Sequence, residues 1–344
     1  MVVIVMGPGR LSSRIPGCGI GKTRPQPWLS SLSLFFCFLF PQTHSLSFNL
    51  AKIGPQHQNV NITTFGDAKI SSQGLQLTPI GENIDLKYRA GKAQWVTFLH
   101  LWDNSTGSLT DFDTHFVFAI DSGGSSSFTD GLTFFLADPK GSESSDITPG
   151  LAMGLPVNRD TYMGTSSFVA VEFDTLRNGP PLAVDPDNIS PGTHVGIDVN
   201  SIISNVTAPL YCKVPGGIEN EAWIRYDSSS HDLSVVFTGS TNTTRVKDTI
   251  HLIVDLRDYL PEWVTFGFLA GTGGEFEKHT VISWEFSSSF QVDPRPKKLP
   301  FGALVGIVVG SVVLVGGFGL VGFGLWKRSR ENGKGILQLK MPQI

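Results

Sequence analysis

The sequence predicts an all-β protein in which antiparallel sheets pack face to face as a jelly-roll sandwich, followed by one transmembrane helix. Three observations carry this. Between residues 46 and 289, apolar runs of five to ten residues are separated by Gly, Pro, Ser and Asn clusters, the pattern of short strands joined by turns. No long segment of 3.6-residue periodicity interrupts them. The 344 residues include 38 glycines and 24 phenylalanines, which suits turns and a β core better than long helices. Only 16% of residues are charged and the net charge is −4, so no nucleic acid or other polyanion is expected as a partner.

Residues 1–45 read as an N-terminal extension and signal peptide. Trp28 to Phe40 is apolar, follows Lys22 and Arg24, and precedes the small residues Thr43 and Ser45 at the spacing a signal peptidase reads, with cleavage after Ser45. Cys18 and Cys37 fall in this segment, leaving Cys212, so a disulfide-stapled module is excluded. The domain at 46–289 is large enough to bury a core without staples. Its strands read as DTHFVFAI, DGLTFFLAD, SSFVAVEFDT, HVGIDVNSI, AWIRYD, LSVVFTG, HLIVDL, EWVTFGFLAG and HTVISWEF, with Phe116 and Phe118 pointing to the core between sheets. Residues 290–302 form a Pro-containing, extended spacer. Residues 303–326 carry no charge over 24 positions, long enough to cross a hydrocarbon core about 30 Å thick. Residues 327–344 form a short tail. Basic residues flank the apolar span on both sides, so the signal peptide sets the orientation: a single-pass type I protein of the plasma membrane, domain outside. Asn61, Asn104, Asn188, Asn205 and Asn242 begin N-x-S/T sequons, fitting an extracellular glycoprotein.

The chemistry concentrates in VAVEFD and the loop after it. Glu172 and Asp174 leave one strand face two residues apart, where a hydrophobic strand gains nothing from them. Asn178, Asp185 and His194 follow before the next apolar run. Asn and Asp oxygens with a backbone carbonyl suit a hard ion such as Ca²⁺, while Glu, Asp and His together suit a divalent transition ion. Asp174 and Asp185 are able to bridge both. A capped polar hairpin loop is the simpler alternative.

SLSFNLAKIG, LWDNSTGSLTDFDTHFVFAI, DGLTFFLADP, FVAVEFDT, HVGIDVNSI, LPEWVTFGF and EKHTVISWEF occur in an order that resembles legume-type (L-type) lectins over roughly residues 46–289. The arrangement is most similar to the ectodomain of plant L-type lectin receptor kinases, which place such a domain before one membrane helix. Only 18 residues follow Trp326, too few for kinase motifs. The resemblance implies that Glu172, Asp174, Asp185 and His194 hold a Mn²⁺-like ion, and that Asp174, the Leu176 carbonyl, Asn178 and Asp185 hold Ca²⁺. It further implies that Asp130 and Asn178 bond sugar hydroxyls, with a cis peptide between Thr129 and Asp130. A carboxylate accepts two hydroxyl protons while an amide donates, so the pair suits a glycan or glycoprotein ligand.

Three departures from the family pattern bear on the site. Asp185 and His194 are nine residues apart, longer than the family's usual spacing, so Asp187 competes as the bridging ligand. Leu176 stands where an aromatic residue often stacks on the sugar ring. The Gly-Gly loop that donates an N–H appears as PGLAMGL, leaving Gly150 or Leu151 as donor, and the short GTGGEFEKH loop makes Gly274 and Glu275 the remaining contacts. His279 and Trp284 read as core or strand-pair residues. Related sandwiches hydrolyse β-glucans with a second Glu close after such a Glu-x-Asp pair. Here Thr175, Leu176 and Arg177 follow Asp174, so no enzymatic activity is expected. A non-sugar-binding co-receptor, or a truncated receptor kinase, that works through protein partners is the other alternative, since Gly302, Gly306 and Gly310 form overlapping G-x-x-x-G spacings through which membrane helices associate. A homo-oligomer is expected through the lectin domain or this helix.

Overall fold

In a computed structural model, residues 45–81, 85–141, 147–179, 182, 184, 185, 192–241, 244–289, 310, 313 and 316–331 are described. The chain divides into two units, Met1–Gln291 and Val292–Ile344. In the first, the strands are β1 (Ser47–Leu50), β2 (Ile62–Gly66), β3 (Lys69–Ser71), β4 (Gly74–Gln76), β5 (Ala90–Trp95), β6 (Leu99–His100), β7 (Phe112–Asp121), β8 (Gly131–Ala137), β9 (Phe168–Asp174), β10 (His194–Val199), β11 (Val206–Pro209), β12 (Glu219–Asp227), β13 (Asp232–Ser240), β14 (Arg245–Ile253), β15 (Trp263–Gly271) and β16 (Lys278–Ser288). They form two eight-stranded antiparallel sheets. One runs β14-β13-β12-β7-β16-β4-β3 with β1 also on β16; the other runs β11-β10-β9-β8-β15-β5-β2 with β6 on β15.

The main core lies between the sheets. Phe116 and Phe118 are fully buried, and their rings meet Phe268 at 4.9 Å and Phe173 at 4.7 Å across the interface. Each such Phe contributes about 1.5–3 kcal/mol through burial alone. β7, β12 and β13 alternate buried and open residues, because one face of their sheet meets solvent. β8 and β9 are buried at every position. A second cluster explains this: Ala152, Leu155 and Val157 from the preceding loop pack on Phe135, Phe168 and Ala170, covering the outer face of the second sheet. That loop stands directly beside the site.

One expected strand needs correction. HLIVDL does not run as strand to Leu256: β14 ends at Ile253, and Leu256–Asp258 forms a 3₁₀ turn capped by the Asp255 carboxylate, which accepts from Arg257 N–H at 3.1 Å. The cap offers the backbone a local alternative to the ladder. β14 begins earlier, at Arg245, and as an edge strand it carries Arg245, Lys247, Asp248 and His251, charges that discourage pairing with another chain.

In the second unit, residues 316–331 are helical, beginning within the expected span 303–326 and continuing past Trp326 into the basic tail. No helix among the described residues is long and apolar enough to cross a membrane; residues 303–309, 311, 312, 314 and 315 lie outside the described residues, as does the expected signal peptide up to residue 44. Of the sequons, Asn104 and Asn205 are exposed and Asn61 is half-buried in a turn, whereas Asn188 and Asn242 lie outside the described residues.

Candidate metal and ligand site

Adjacent strands bring the expected residues together. β9 pairs with β10 so that Asp174 faces His194 and Glu172 faces Gly196, and with β8 so that Asp174 faces Gly131. Glu172, Asp174 and His194 are all buried, with ligand atoms close enough to share one ion. His194 Nε2 lies 3.0 Å from Glu172 Oε1 and 3.9 Å from Asp185 Oδ1. The loop after β9 turns back on itself. Leu176 N–H donates to Asp174 Oδ1 at 2.6 Å, Asn178 N–H donates to Asp185 Oδ2, and Asn178 Nδ2 donates to the Leu176 carbonyl at 3.3 Å. These bonds gather Asp174, the Leu176 carbonyl, Asn178 and Asp185 in one loop. Asp187 lies outside the described residues.

Sequence reasoning missed two polar residues here. Ser204 Oγ lies 2.5 Å from Glu172 Oε1 and 2.7 Å from Asp198 Oδ1, yet a hydroxyl has one proton and serves only one of them. Asp198 is fully buried. Its signal in the sequence was a lone carboxylate inside the apolar run HVGIDV, whose partner only tertiary structure reveals. Gly196 makes the space for this group: a Cβ there would lie 2.1 Å from Ser204 Oγ and 2.5 Å from Glu172 Oε1.

The acidic groups of the site are desolvated and crowd one another. Burial pushes Asp174 well above the usual carboxylate range, reinforced by Glu172 and Asp185 and opposed by the Leu176 N–H. Asp198 is likewise raised by burial and by Glu172, and Asp185 by burial against the Asn178 N–H and His194. Burial alone would lower His194, but the hydrogen bond to Glu172 and the charges of Glu172 and Asp185 outweigh it and raise the imidazole. Among the described residues, His194 is the only basic side chain within ion-pair distance of these carboxylates. Four buried carboxylates and one imidazole fit divalent ions by donor type, charge and preorganisation. A second group, His100, Asp103 and Glu262, fits less well. The Ser105 hydroxyl and the Thr106 N–H already hold Asp103 and lower it to about 2, and His100 packs flat on Trp263 at 4.2 Å.

A cleft of about 260 Å³ opens next to the carboxylates, lined by Asp130, Asn178, Leu176, Gly150, Gly274 and Tyr88 among others. The Thr129–Asp130 peptide is cis. Thr129 Oγ1 donates to the Glu275 carbonyl at 3.1 Å and accepts from Gly273 N–H at 2.9 Å, while the Asp130 carbonyl accepts from Thr175 N–H at 2.8 Å. Asp130 is buried, its Oδ2 has no hydrogen-bond partner, and burial with the nearby charges of Glu277 and Asp185 raises it to about 7. A Cβ at Gly273 would sit 2.7 Å from that oxygen, so glycine is what lets the last loop close over it. Gly150 borders the cleft, but its N–H already donates to the Thr272 carbonyl at 3.2 Å. Gly274 also borders it. Glu275 borders a separate depression with Thr129 and Leu176, and its carboxylate pairs with Lys87 at 3.8 Å.

Behind the cleft, Thr175 Oγ1 donates to Glu277, whose Oε1 lies 2.8 Å from His279 Nε2; His279 Nδ1 in turn lies 3.1 Å from Thr78 Oγ1. All four side chains are buried. His279 and Trp284 are therefore core residues, as the sequence suggests.

The legume lectin domain profile matches residues 45–300. This chain belongs to the legume lectin family. Lectin 6 of Medicago truncatula is 36% identical over 282 residues, covering 75% of this chain and 97% of its own length, and a lectin of Lens culinaris subsp. tomentosus is 36% identical over 260 residues, covering 75% and 88%. Among solved structures, basic winged bean lectin with Tn-antigen superposes with a TM-score of 0.61 at 34% identity, covering 72% of this chain and 99% of that one. Lectin UEA-II complexed with galactose gives 0.62 at 34%, covering 71% and 98%. The two-sheet sandwich is thus the legume lectin fold, and the candidate metal-binding cluster is built from this chain's own Glu172, Asp174 and His194.

Proposed function

We propose that this chain is a carbohydrate-binding membrane lectin without catalytic activity, whose site depends on Ca²⁺ and on Mn²⁺ or another divalent transition ion. The observation that carries the reading is Asp130: a buried carboxylate with an unpartnered oxygen, sharing a cleft with Asn178 beside the Glu172–Asp174–His194 cluster. Relatives solved with galactose and with Tn-antigen, and another in a form described as metal-free, support both halves of it. Glu172, Asp174, Asp185 and His194 would hold the transition ion; Asp174, the Leu176 carbonyl, Asn178 and Asp185 would hold Ca²⁺. When bound, the ions supply fixed positive charge that holds the loop. Asp130 then accepts sugar hydroxyl protons and the Asn178 amide donates. Since the Gly150 N–H is engaged, Leu151 N–H is the donor from that turn, with Gly274 and Glu275 at the rim.

The apolar segment 303–326 would anchor the lectin domain outside the plasma membrane behind the spacer 290–302, in the manner of a lectin receptor ectodomain acting in cell-surface recognition, with homo-oligomers forming through the lectin domain or the Gly302, Gly306 and Gly310 face. On a glycan array, the full-length protein should give a metal-dependent signal that Asp130→Asn abolishes while the melting temperature holds. Equal signals from both proteins would overturn the assignment of Asp130; no signal from either would favour a protein or apolar ligand. In titration calorimetry, Asp185→Ala should lose stoichiometric Ca²⁺ and sugar binding together and Asp187→Ala should keep both. The reverse result moves the bridging ligand by two residues.

A further inference from the structure

We propose that Tyr88 supplies the aromatic wall of the sugar cleft, packing its ring on the C–H face of a bound pyranose opposite the hydroxyls taken by Asp130. The proposal deepens the carbohydrate-binding reading and rests on it. A pyranose presents hydroxyls at its edge and a patch of C–H groups on its face, so a site that engages only the edge leaves apolar surface in water. The residue after the FDT strand end is Leu176, which offers area but no π face. Tyr88 lines the same cleft from a loop far earlier in the sequence, just before β5.

Three observations mark Tyr88 as more than a surface residue. Its backbone is in the left-handed region, with φ 53°, a conformation that bulky residues rarely adopt and that surrounding structure must hold. The holding bonds come from the last loop of the cleft. Tyr88 N–H donates to the Gly273 carbonyl at 3.0 Å, Arg89 N–H donates to Thr272 Oγ1 at 3.0 Å, and Thr272 Oγ1 donates to the Leu86 carbonyl at 2.7 Å. The side chain, in contrast, is 65% exposed and its hydroxyl bonds to no described residue; that oxygen lies 3.8 Å from the position a Cβ would take at Gly274. Gly274 adjoins Gly273, over which Asp130 Oδ2 packs. A rigidly mounted, solvent-facing tyrosine at the rim of a cleft with an unpartnered carboxylate is thus a binding anchor. Tyrosine suits that task, because it covers apolar area with few rotatable bonds and keeps a hydroxyl for a further sugar oxygen.

The test is titration calorimetry of the full-length protein in detergent with Ca²⁺ and Mn²⁺, using the monosaccharide that gives the strongest array signal. Tyr88→Ala should weaken sugar affinity by about tenfold or more, an effect of the size expected for one aromatic anchor. Tyr88→Phe should restore most of it, and both variants should keep the wild-type rise in melting temperature on adding Ca²⁺, which reports the ion site and the fold separately. Wild-type affinity in Tyr88→Ala, with sugar still bound, overturns the aromatic-wall proposal and leaves the lectin reading standing. Loss of binding in Tyr88→Ala that Tyr88→Phe does not restore also overturns it, since the ring is then not what counts. Absence of sugar binding by the wild type overturns both.

Discussion

Alanine at Gly196 would have to displace both Ser204 and Glu172, whose oxygens lie 2.1 and 2.5 Å from the new methyl group. Both are held in a buried hydrogen-bonded cluster with His194 and Asp198, so neither swings aside freely. Gly196→Ala should keep the sandwich, lower the affinity for a transition ion at least about tenfold, a loss of about 1.4 kcal/mol, and leave most of the Ca²⁺ response; metal-dependent melting curves read both ions. Asp130 gives the pH dependence. Its folded-state pKa of about 7 is raised from 3.8 by burial first, then by Glu277 and Asp185. In metal-free protein the folded state therefore binds more protons than the unfolded state between about pH 4 and pH 7, and stability must fall as pH rises through that window. Asp174 and Asp198, raised for the same main reason, push in the same direction. Urea unfolding in EDTA at pH 4.5 and 7.5 should show the loss, and Ca²⁺ should diminish it by favouring the ionised carboxylates. A metal-free protein that is more stable at pH 7.5 would contradict the buried, unpaired state of Asp130.

Strand ends, more than strands, join the halves of the site. Thr175, just after β9, and Glu277, just before β16, meet at 2.8 Å with His279 behind them, so the loop after β9 and the last loop share one buried network. Removing Glu277 as Ala leaves the Thr175 hydroxyl and the His279 ring without their acceptor, at about 1–3 kcal/mol for each unsatisfied group. Thr175→Val and Glu277→Ala should be non-additive in unfolding free energy by about 0.5–3 kcal/mol; additive losses would mean the two loops are not coupled through this bond. None of this was legible in the sequence, since Glu277, Ser204 and Asp198 are single polar residues whose partners lie 102 positions away for Glu277, 32 for Ser204 with Glu172, and six, across a turn, for Ser204 with Asp198. Glu172, Asp174 and His194 were legible because their motif places them on paired strands. β7, β12 and β13 were legible from alternation, and β8 and β9 as continuous apolar runs. β3 and β4, three residues each, and β5, which carries Gly91, Lys92 and Gln94, have no local strand signature. Their pairing with β16, β2 and β15 makes them strands.

At the scale of the whole domain, metal content should decide how stable and how competent the lectin is. Four carboxylates, Glu172, Asp174, Asp185 and Asp198, lie buried in one region, with His194 within ion-pair distance of Glu172 and Asp185. Without cations the folded state carries their mutual repulsion and desolvation; the unfolded chain does not. Ions that bind only the folded state stabilise it by mass action, about 2.7 kcal/mol at a hundredfold excess over Kd. For a domain of this size each kcal/mol moves the melting temperature by about 2–4 °C, so dialysis against EDTA should lower it by roughly 5–10 °C, and Ca²⁺ with Mn²⁺ should restore it. Linkage adds a second reading from the same samples. If the ions strengthen sugar binding, sugar must strengthen ion binding by the same factor, so saturating monosaccharide should raise the EDTA concentration needed for half the melting shift. An unchanged melting curve after EDTA, with no metal found by elemental analysis of the purified protein, would sink the two-ion site and with it the metal-dependent form of the lectin reading.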